Sequence, residues 1–152
     1  MDRYLLRQLQ RDASLSNLAL AETVHTSPAT CLRRVKRLRD TGVIERQIAI
    51  LNPQKIESIR GHGLTAIVEI TLDRQDVAAL ERFELRVTSD PAVQQCYRVS
   101  PGPDFVLVIH ADHMPDYLAL TQRLFTSDTN VRNVKTFFSV KRSKFGAELP
   151  LD

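Results

Sequence analysis

The sequence predicts an α+β protein in which a helical segment precedes a β-α-β-β-α-β segment. Three observations support this class. Apolar residues recur at helical spacing in the first third, strand and helix patterns alternate over residues 64–141, and positive charge is concentrated near the N-terminus. Residues 1–60 contain 11 Lys/Arg and 6 Asp/Glu, whereas residues 61–152 contain 10 and 12. This asymmetry indicates a module that binds a polyanion, joined to a second module.

The first third is predicted to form three short helices. Leucines recur at helical spacing over residues 2–11. Ser16 is a good N-cap for a second helix, because its hydroxyl can accept hydrogen bonds from the first free amides. Ser27 and Pro28 start a third helix, which is expected to end near Gly42.

The third helix is predicted to be amphipathic and strongly basic, since five of the seven residues from 33 to 39 are Arg or Lys. The residues expected on its core face are Cys31, Leu32, Val35 and Leu38. Those on the opposite side are Ala29, Thr30, Arg33, Lys36 and Arg37, with Arg34 on the flank. A lone helix of this kind is usually solvated, but this one follows a short helix across a tight link.

Such a helix-turn-helix places its second helix in the major groove of double-stranded DNA. Its N-terminal residues contact base edges, and flanking Arg and Lys residues contact phosphates. We expect Thr30 and Arg33 to read bases. The complete set of predicted DNA contacts is Ser27, Pro28, Thr30, Arg33, Arg34, Lys36 and Arg37.

Two further segments complete the first part. Apolar residues at about every second position over residues 43–51 predict a short strand or wing, so residues 1–51 are expected to form a winged helix-turn-helix domain. Residues 52–63 have no firm pattern and are expected to form a linker.

Residues 64–152 are predicted to form a ferredoxin-like βαββαβ domain, because six elements follow in the order typical of a split βαβ unit. They are strands over 64–72, 93–99, 105–111 and 131–141, and helices over 76–88 and 114–125. The polar second strand is expected near an edge, and the apolar third strand is expected to be buried on both faces. Apolar residues remain on the face without helices: Ile67, some of residues 105–109, and either Phe137 or Phe138. We therefore expect a homodimer.

Several functional classes are disfavoured. The longest apolar run, residues 105–109, is far shorter than the ~20 residues that span a bilayer. No P-loop, GxGxxG motif or nucleophile–base arrangement indicates an enzyme, and residues 110–113 (His-Ala-Asp-His) lack the third and fourth ligands of a structural zinc site. Cys31 and Cys96 are expected to be small hydrophobes rather than a redox sensor or a disulfide. We expect a cytoplasmic binding protein with no catalytic or metal site and no cofactor.

Specific motifs extend over nearly the whole chain, and together they resemble the Lrp/AsnC family of transcriptional regulators. They are Asp2-Arg3-x-Leu5-Leu6-x-x-Leu9-Gln10-x-Asp12, Ser16-Asn17-x-x-Leu20-Ala21-x-x-Val24, Ser27-Pro28-x-x-Cys31-x-x-Arg34-Val35-x-x-Leu38, Gly42-Val43-Ile44, Leu51-Asn52-Pro53, Val68-Glu69-Ile70 and Asp104-Phe105. His25 stands where the family commonly has Gly. A His adopts positive φ less readily than Gly does.

The resemblance implies a DNA-binding regulator that assembles as dimers and often as octamers. It also implies that an amino acid or related small molecule binds between dimers at the C-terminal domain. The matching effector positions are Gly102, Pro103, Asp104, Thr136, Phe137 and Phe138. From the residues alone, Asp104 can equally cap a turn, and Thr136 can be an ordinary strand residue.

Two alternatives to a sequence-specific regulator remain open. One is a nonspecific architectural DNA-binding protein, and the other is a stand-alone amino-acid-binding assembly module. The intact basic helix argues against the second alternative.

Overall fold

The computed structural model describes residues 1–151 and divides the chain into two compact units. The first contains residues 1–50 together with the C-terminal residues from 143 onward, and the second contains residues 51–142. The fold class predicted from the sequence is confirmed: helices build the first unit, and a four-stranded antiparallel sheet with helices builds the second.

The first unit contains three helices: α1 (Asp2–Arg11), α2 (Asn17–Thr23) and α3 (Pro28–Asp40). Both predicted caps are present. The hydroxyl oxygen of Ser16 accepts a hydrogen bond from the Ala19 amide, and that of Ser27 accepts one from the Thr30 amide, each at 3.2 Å. The residues that form the core of this unit are Leu5, Leu20, Ala21, Val24, Cys31 and Val35. Burial of this apolar surface holds the three short helices together, because helices of this length are marginal alone.

Two segments that follow these helices in the chain differ from the prediction. Residues 43–51 form no strand and have no strand partner among the described residues, so the predicted wing is wrong. The predicted linker contains a helix, α4 (Pro53–Arg60). The Asn52 side chain accepts a hydrogen bond from the Gln54 amide at 3.0 Å, and Pro53 occupies the first turn. This Asn-Pro start is a helix signal, but α4 buries none of its residues and therefore leaves no periodic apolar pattern.

The C-terminal residues pack within the first unit, whereas the sequence suggested that they belong to the second domain. The Gln10 side-chain amide donates to the Leu149 carbonyl oxygen at 3.0 Å and accepts from the Leu149 amide at 2.7 Å. Arg11 pairs with Glu148 at 2.9 Å. These contacts attach the end of the chain to α1.

The second unit has the predicted βαββαβ order after α4. Its elements are β1 (Leu64–Leu72), α5 (Val77–Thr88), β2 (Val93–Arg98), β3 (Phe105–Ala111), α6 (Met114–Thr121), which continues as a π-helical turn (Gln122–Thr126), and β4 (Val131–Phe138). The strand order is β2-β3-β1-β4, and all neighbours are antiparallel. The predicted edge position of the second strand is confirmed.

One face of this sheet packs against the helices and forms the core. Phe83 of α5 lies against Phe105 of β3, with ring centroids 4.9 Å apart, and both side chains are buried. Val68 and Ile70 of β1 are completely buried on the same face. Close packing of these side chains fixes the ends of the strands, where the candidate effector residues lie.

The other face of the sheet carries no helix. Ile67 of β1 lies between Val108 of β3 and Phe137 of β4, and it is 41% exposed. The prediction that β3 is buried on both faces is wrong for a single chain, because its residues alternate between buried and partly exposed. Of the two candidate phenylalanines, Phe137 lies on the open face.

Candidate nucleic-acid interface and effector region

The turn between α2 and α3 has a defined geometry. His25 has φ +53°, the left-handed conformation that glycine adopts most readily. The Thr26 amide donates to the Ala21 carbonyl oxygen at 2.9 Å, and the Asn17 side-chain amide donates to the Pro28 carbonyl oxygen at 2.9 Å. These bonds fix the start of α3 relative to α2, as a helix-turn-helix requires.

The burial of α3 follows the predicted amphipathic pattern with one exception. Cys31, Val35 and Leu38 are buried, and the basic residues other than Arg34 are exposed. Leu32, which the sequence placed on the core face, is 60% exposed. The buried stripe of α3 is therefore narrower than predicted.

The predicted DNA-contacting residues fall into two groups. Ser27, Pro28, Arg33, Lys36 and Arg37 are exposed, whereas Thr30 and Arg34 are half-buried. The Ser27 hydroxyl donates to the Thr30 hydroxyl at 2.9 Å, so the Thr30 side chain takes part in the helix cap rather than standing free.

Asp2 of α1 pairs with two of the α3 arginines. One carboxylate oxygen accepts from Arg34 at 2.9 Å, and the other accepts from Arg37. The hydrogen bond from Arg34 lowers the pKa of Asp2 below its ordinary value, and Arg37 adds to the effect. Sequence analysis did not identify this pairing, since Asp2 is 32 residues away from Arg34.

The remaining cations of α3 differ in their partners. Lys36 pairs with Asp40 at 2.6 Å along the helix. Among the residues the structure describes, Arg33 makes no hydrogen bond or ion pair with a side chain of the protein. Arg39 donates to the side-chain oxygen of Gln47. Arg33 is therefore the α3 cation most available to an anionic ligand.

The first group of candidate effector residues forms the turn before β3. Gly102 has φ +108°, and Asp104 is half-buried. The Asp104 carboxylate accepts from the Leu72 amide at 2.7 Å and from the Gln75 side chain at 3.3 Å. Asp104 therefore holds the end of β1 in place, and this carboxylate already has hydrogen-bond donors.

The second group lies on β4. The Thr136 and Tyr117 hydroxyls are 2.6 Å apart, and Phe138 meets the Tyr117 ring edge-on with centroids 5.2 Å apart. Phe137 points to the opposite face, where the Lys135 ammonium lies 4.9 Å from its ring centroid. The three β4 candidates therefore do not share one surface.

The two effector groups are also separated along the sheet. Thr136 lies opposite Val68, whereas Asp104 bonds to Leu72 four residues farther along β1. At roughly 3.3 Å per residue this is about 13 Å. A single chain does not bring the two groups together around one small molecule.

Other kinds of site have little support. Within the described part of the chain, no three His, Cys, Asp or Glu side chains cluster as metal ligands would. Burial raises the pKa of the Cys31 thiol, which disfavours the reactive thiolate. No helix in residues 1–151 is long and apolar enough to cross a membrane.

Comparison with known proteins gives matches to both units. Residues 1–39 match the AsnC-type helix-turn-helix domain, and residues 65–149 match the Lrp/AsnC ligand binding domain. The chain is 35% identical over 144 residues to an uncharacterized HTH-type transcriptional regulator of Haemophilus influenzae, covering 95% of this chain and 83% of that one. It is 34% identical to the DNA-binding transcriptional activator DecR of Escherichia coli, covering 100% and 97%.

A solved structure extends this similarity. The transcriptional regulator NMB0573 of Neisseria meningitidis, in complex with L-Met, superposes with a TM-score of 0.83 at 29% identity, covering 99% of this chain and 95% of that one. The relatives compared are transcriptional regulators rather than enzymes.

Proposed function

The chain belongs to the Lrp/AsnC family of transcriptional regulators, and from this premise we propose that it binds specific DNA sites under the control of a small metabolite. At the level of the family, it is an Lrp/AsnC-type regulator with a helix-turn-helix and a ligand-binding domain. The proposal adds three statements: α3 reads DNA, the chain acts as a dimer, and an amino acid or related molecule binds at the C-terminal domain.

The observation that carries the DNA proposal is the exposed cationic side of α3. Arg33, Lys36 and Arg37 are exposed on a helix whose start is fixed by the Ser27 cap. In such a unit the side chains of the second helix contact base edges, and its flanking cations contact phosphates. Thr30 remains a candidate for base reading only if its hydroxyl leaves the Ser27 cap.

The dimer is supported by the open face of the sheet. Ile67, Val108 and Phe137 form a continuous apolar row across three strands, and Ile67 and Phe137 are more than 40% exposed. A second copy can bury this row against its own. Val108→Lys introduces a charge into this row beside Ile67, so we expect sedimentation velocity to detect a shift from dimer to monomer. Leu85→Lys, at an exposed position on α5, should leave the dimer intact.

The effector proposal follows from the separation of the candidate residues. Because Asp104 and Thr136 do not meet within one chain, a site that uses both needs residues from two copies. Such a ligand would bind one assembly state better than another and thereby shift DNA binding. The complex of NMB0573 with L-Met supports an amino acid as the ligand class.

The test is a selection of source-genome DNA fragments on the purified protein, with and without a mixture of amino acids. We expect enrichment of a few intergenic fragments that share a dyad, and a change in that enrichment when amino acids are present. Uniform recovery that decreases with salt would instead indicate a nonspecific architectural protein. Enrichment that no amino acid alters would refute the proposal that an amino acid controls DNA binding, but it would leave the proposal of specific DNA binding in place.

A further inference from the structure

The surface of α3 contains one large apolar side chain that is not buried in the core of the protein. Leu32 is 60% exposed, whereas its neighbours Cys31 and Val35 are buried. The helix therefore presents Leu32 beside its basic surface rather than to its core. Burying a leucine removes unfavourable contact with water. A ligand that covers Leu32 therefore binds with a more favourable free energy.

The neighbours of Leu32 limit what that ligand can be. Residues three and four positions away lie beside it on the helix surface, and the exposed ones include Ala29 and Lys36. Arg33 follows directly in the chain. Ala29 is small and allows close approach, while Lys36 and Arg33 carry positive charge.

This charge pattern favours DNA over a protein partner. An apolar protein surface that covered Leu32 would also remove neighbouring cations from water, which costs free energy unless each is paired. DNA supplies phosphates for the cations and, in the major groove, an apolar group as well. That group is the C5-methyl of thymine, which aliphatic side chains contact directly.

We propose that Leu32 contacts the C5-methyl group of a thymine in each half-site and is thus a specificity-determining residue. This inference rests on the proposed DNA-binding function, in which the N-terminal half of α3 lies in the major groove. Leu32 lies in the second turn of α3, within reach of the bases that Arg33 would contact.

The experiment compares thymine with uracil, which lacks only the methyl group. After a specific fragment has been selected, each thymine of one half-site is replaced in turn by deoxyuridine, and the Kd is measured with wild-type protein and Leu32→Ala. One buried methyl is worth about 0.8 kcal/mol, which is roughly a fourfold change in Kd. We expect the affinity of the wild-type protein to fall about fourfold at one position, and about 16-fold when both half-sites carry the change.

Leu32→Ala should bind more weakly and be insensitive to uracil at that same position. Alanine preserves helix propensity, and the exposed side chain leaves the core intact, so the variant is expected to fold. Leu85→Ala is the matched control, because Leu85 is an exposed helical leucine of the second unit. Its uracil sensitivity should equal that of the wild-type protein.

Two results would overturn the inference while leaving the proposed function in place. One is an unchanged uracil penalty at every position in Leu32→Ala. The other is a change in the oligomeric state of the free Leu32→Ala protein with uracil sensitivity retained, which would show that protein covers Leu32. Failure to select any specific fragment would overturn the inference together with the proposed function.

Discussion

Arg33→Gln should weaken DNA binding and reduce its dependence on salt more than the same substitution of Arg34, Lys36 or Arg37. Arg33 is exposed, and within residues 1–151 it has no acidic partner. Arg34 and Arg37 both pair with Asp2, and Lys36 pairs with Asp40. A phosphate must displace these carboxylates from their partners, but it meets Arg33 without competition.

The magnitude follows from counterion release. Each neutralised phosphate contributes about −0.9 to the slope of log K against log salt concentration. A dimer presents two copies of Arg33, so Arg33→Gln should make the slope shallower by about 1.8. Between 50 and 200 mM salt, the wild-type protein should then lose about 12-fold more affinity than the variant.

Fluorescence anisotropy with a labelled operator, titrated at four or more salt concentrations, measures this slope. Arg82→Gln, an exposed arginine on α5, is the matched control and should leave the slope unchanged. Arg34→Gln should mainly lower the free energy of unfolding, by about 1 kcal/mol, because its half-exposed pair with Asp2 is lost. Equal slope changes in Arg33→Gln and Arg34→Gln would refute the argument that pairing with Asp2 makes Arg34 less available to phosphate than Arg33.

Three further predictions concern stability. His25→Gly should raise the free energy of unfolding in urea by about 1 kcal/mol, because glycine adopts φ +53° without a Cβ clash; a decrease would contradict this. Tyr117→Phe should lower it by about 1 kcal/mol, since the 2.6 Å hydrogen bond to Thr136 is lost; unchanged urea melts would refute that contribution. The pKa of Asp2 is lowered by its bond to Arg34, so its stabilisation is present above the unfolded pKa of about 3.9 and disappears as pH falls through the folded value. The free energies of unfolding of the wild-type protein and Asp2→Asn, measured in urea, should therefore differ at pH 7 and converge at low pH. A difference that does not change with pH would show that ionisation of Asp2 does not stabilise the fold.

The element order and most boundaries could be predicted because their signals are local. Ser16 and Ser27 cap α2 and α3 as expected, and the alternation over residues 64–72 gives β1 with the observed bounds. A cap or a strand period depends on side chains within a few residues, so the sequence contains the complete signal. The helix α4 was missed because it buries no apolar side chain.

The candidate site was predicted only in part. Sequence periodicity identified the basic side of α3, but it did not show how wide the buried stripe is. That width depends on the helices that pack against α3, and for this reason Leu32 was placed in the core although it is exposed. The turn around Asp104 is a similar case, because its carboxylate bonds to the distant Leu72 amide.

By itself, the sequence determined the two-part α+β architecture, the helix-turn-helix with its basic second helix, and the ferredoxin-like order of the strands. These properties follow from spacing and composition along the chain. The tertiary structure alone decided which cations Asp2 neutralises, that Phe137 rather than Phe138 lies on the open sheet face, and that Asp104 and Thr136 lie about 13 Å apart along β1. Each of these depends on distances between residues far apart in the chain, and packing rather than local preference sets those distances.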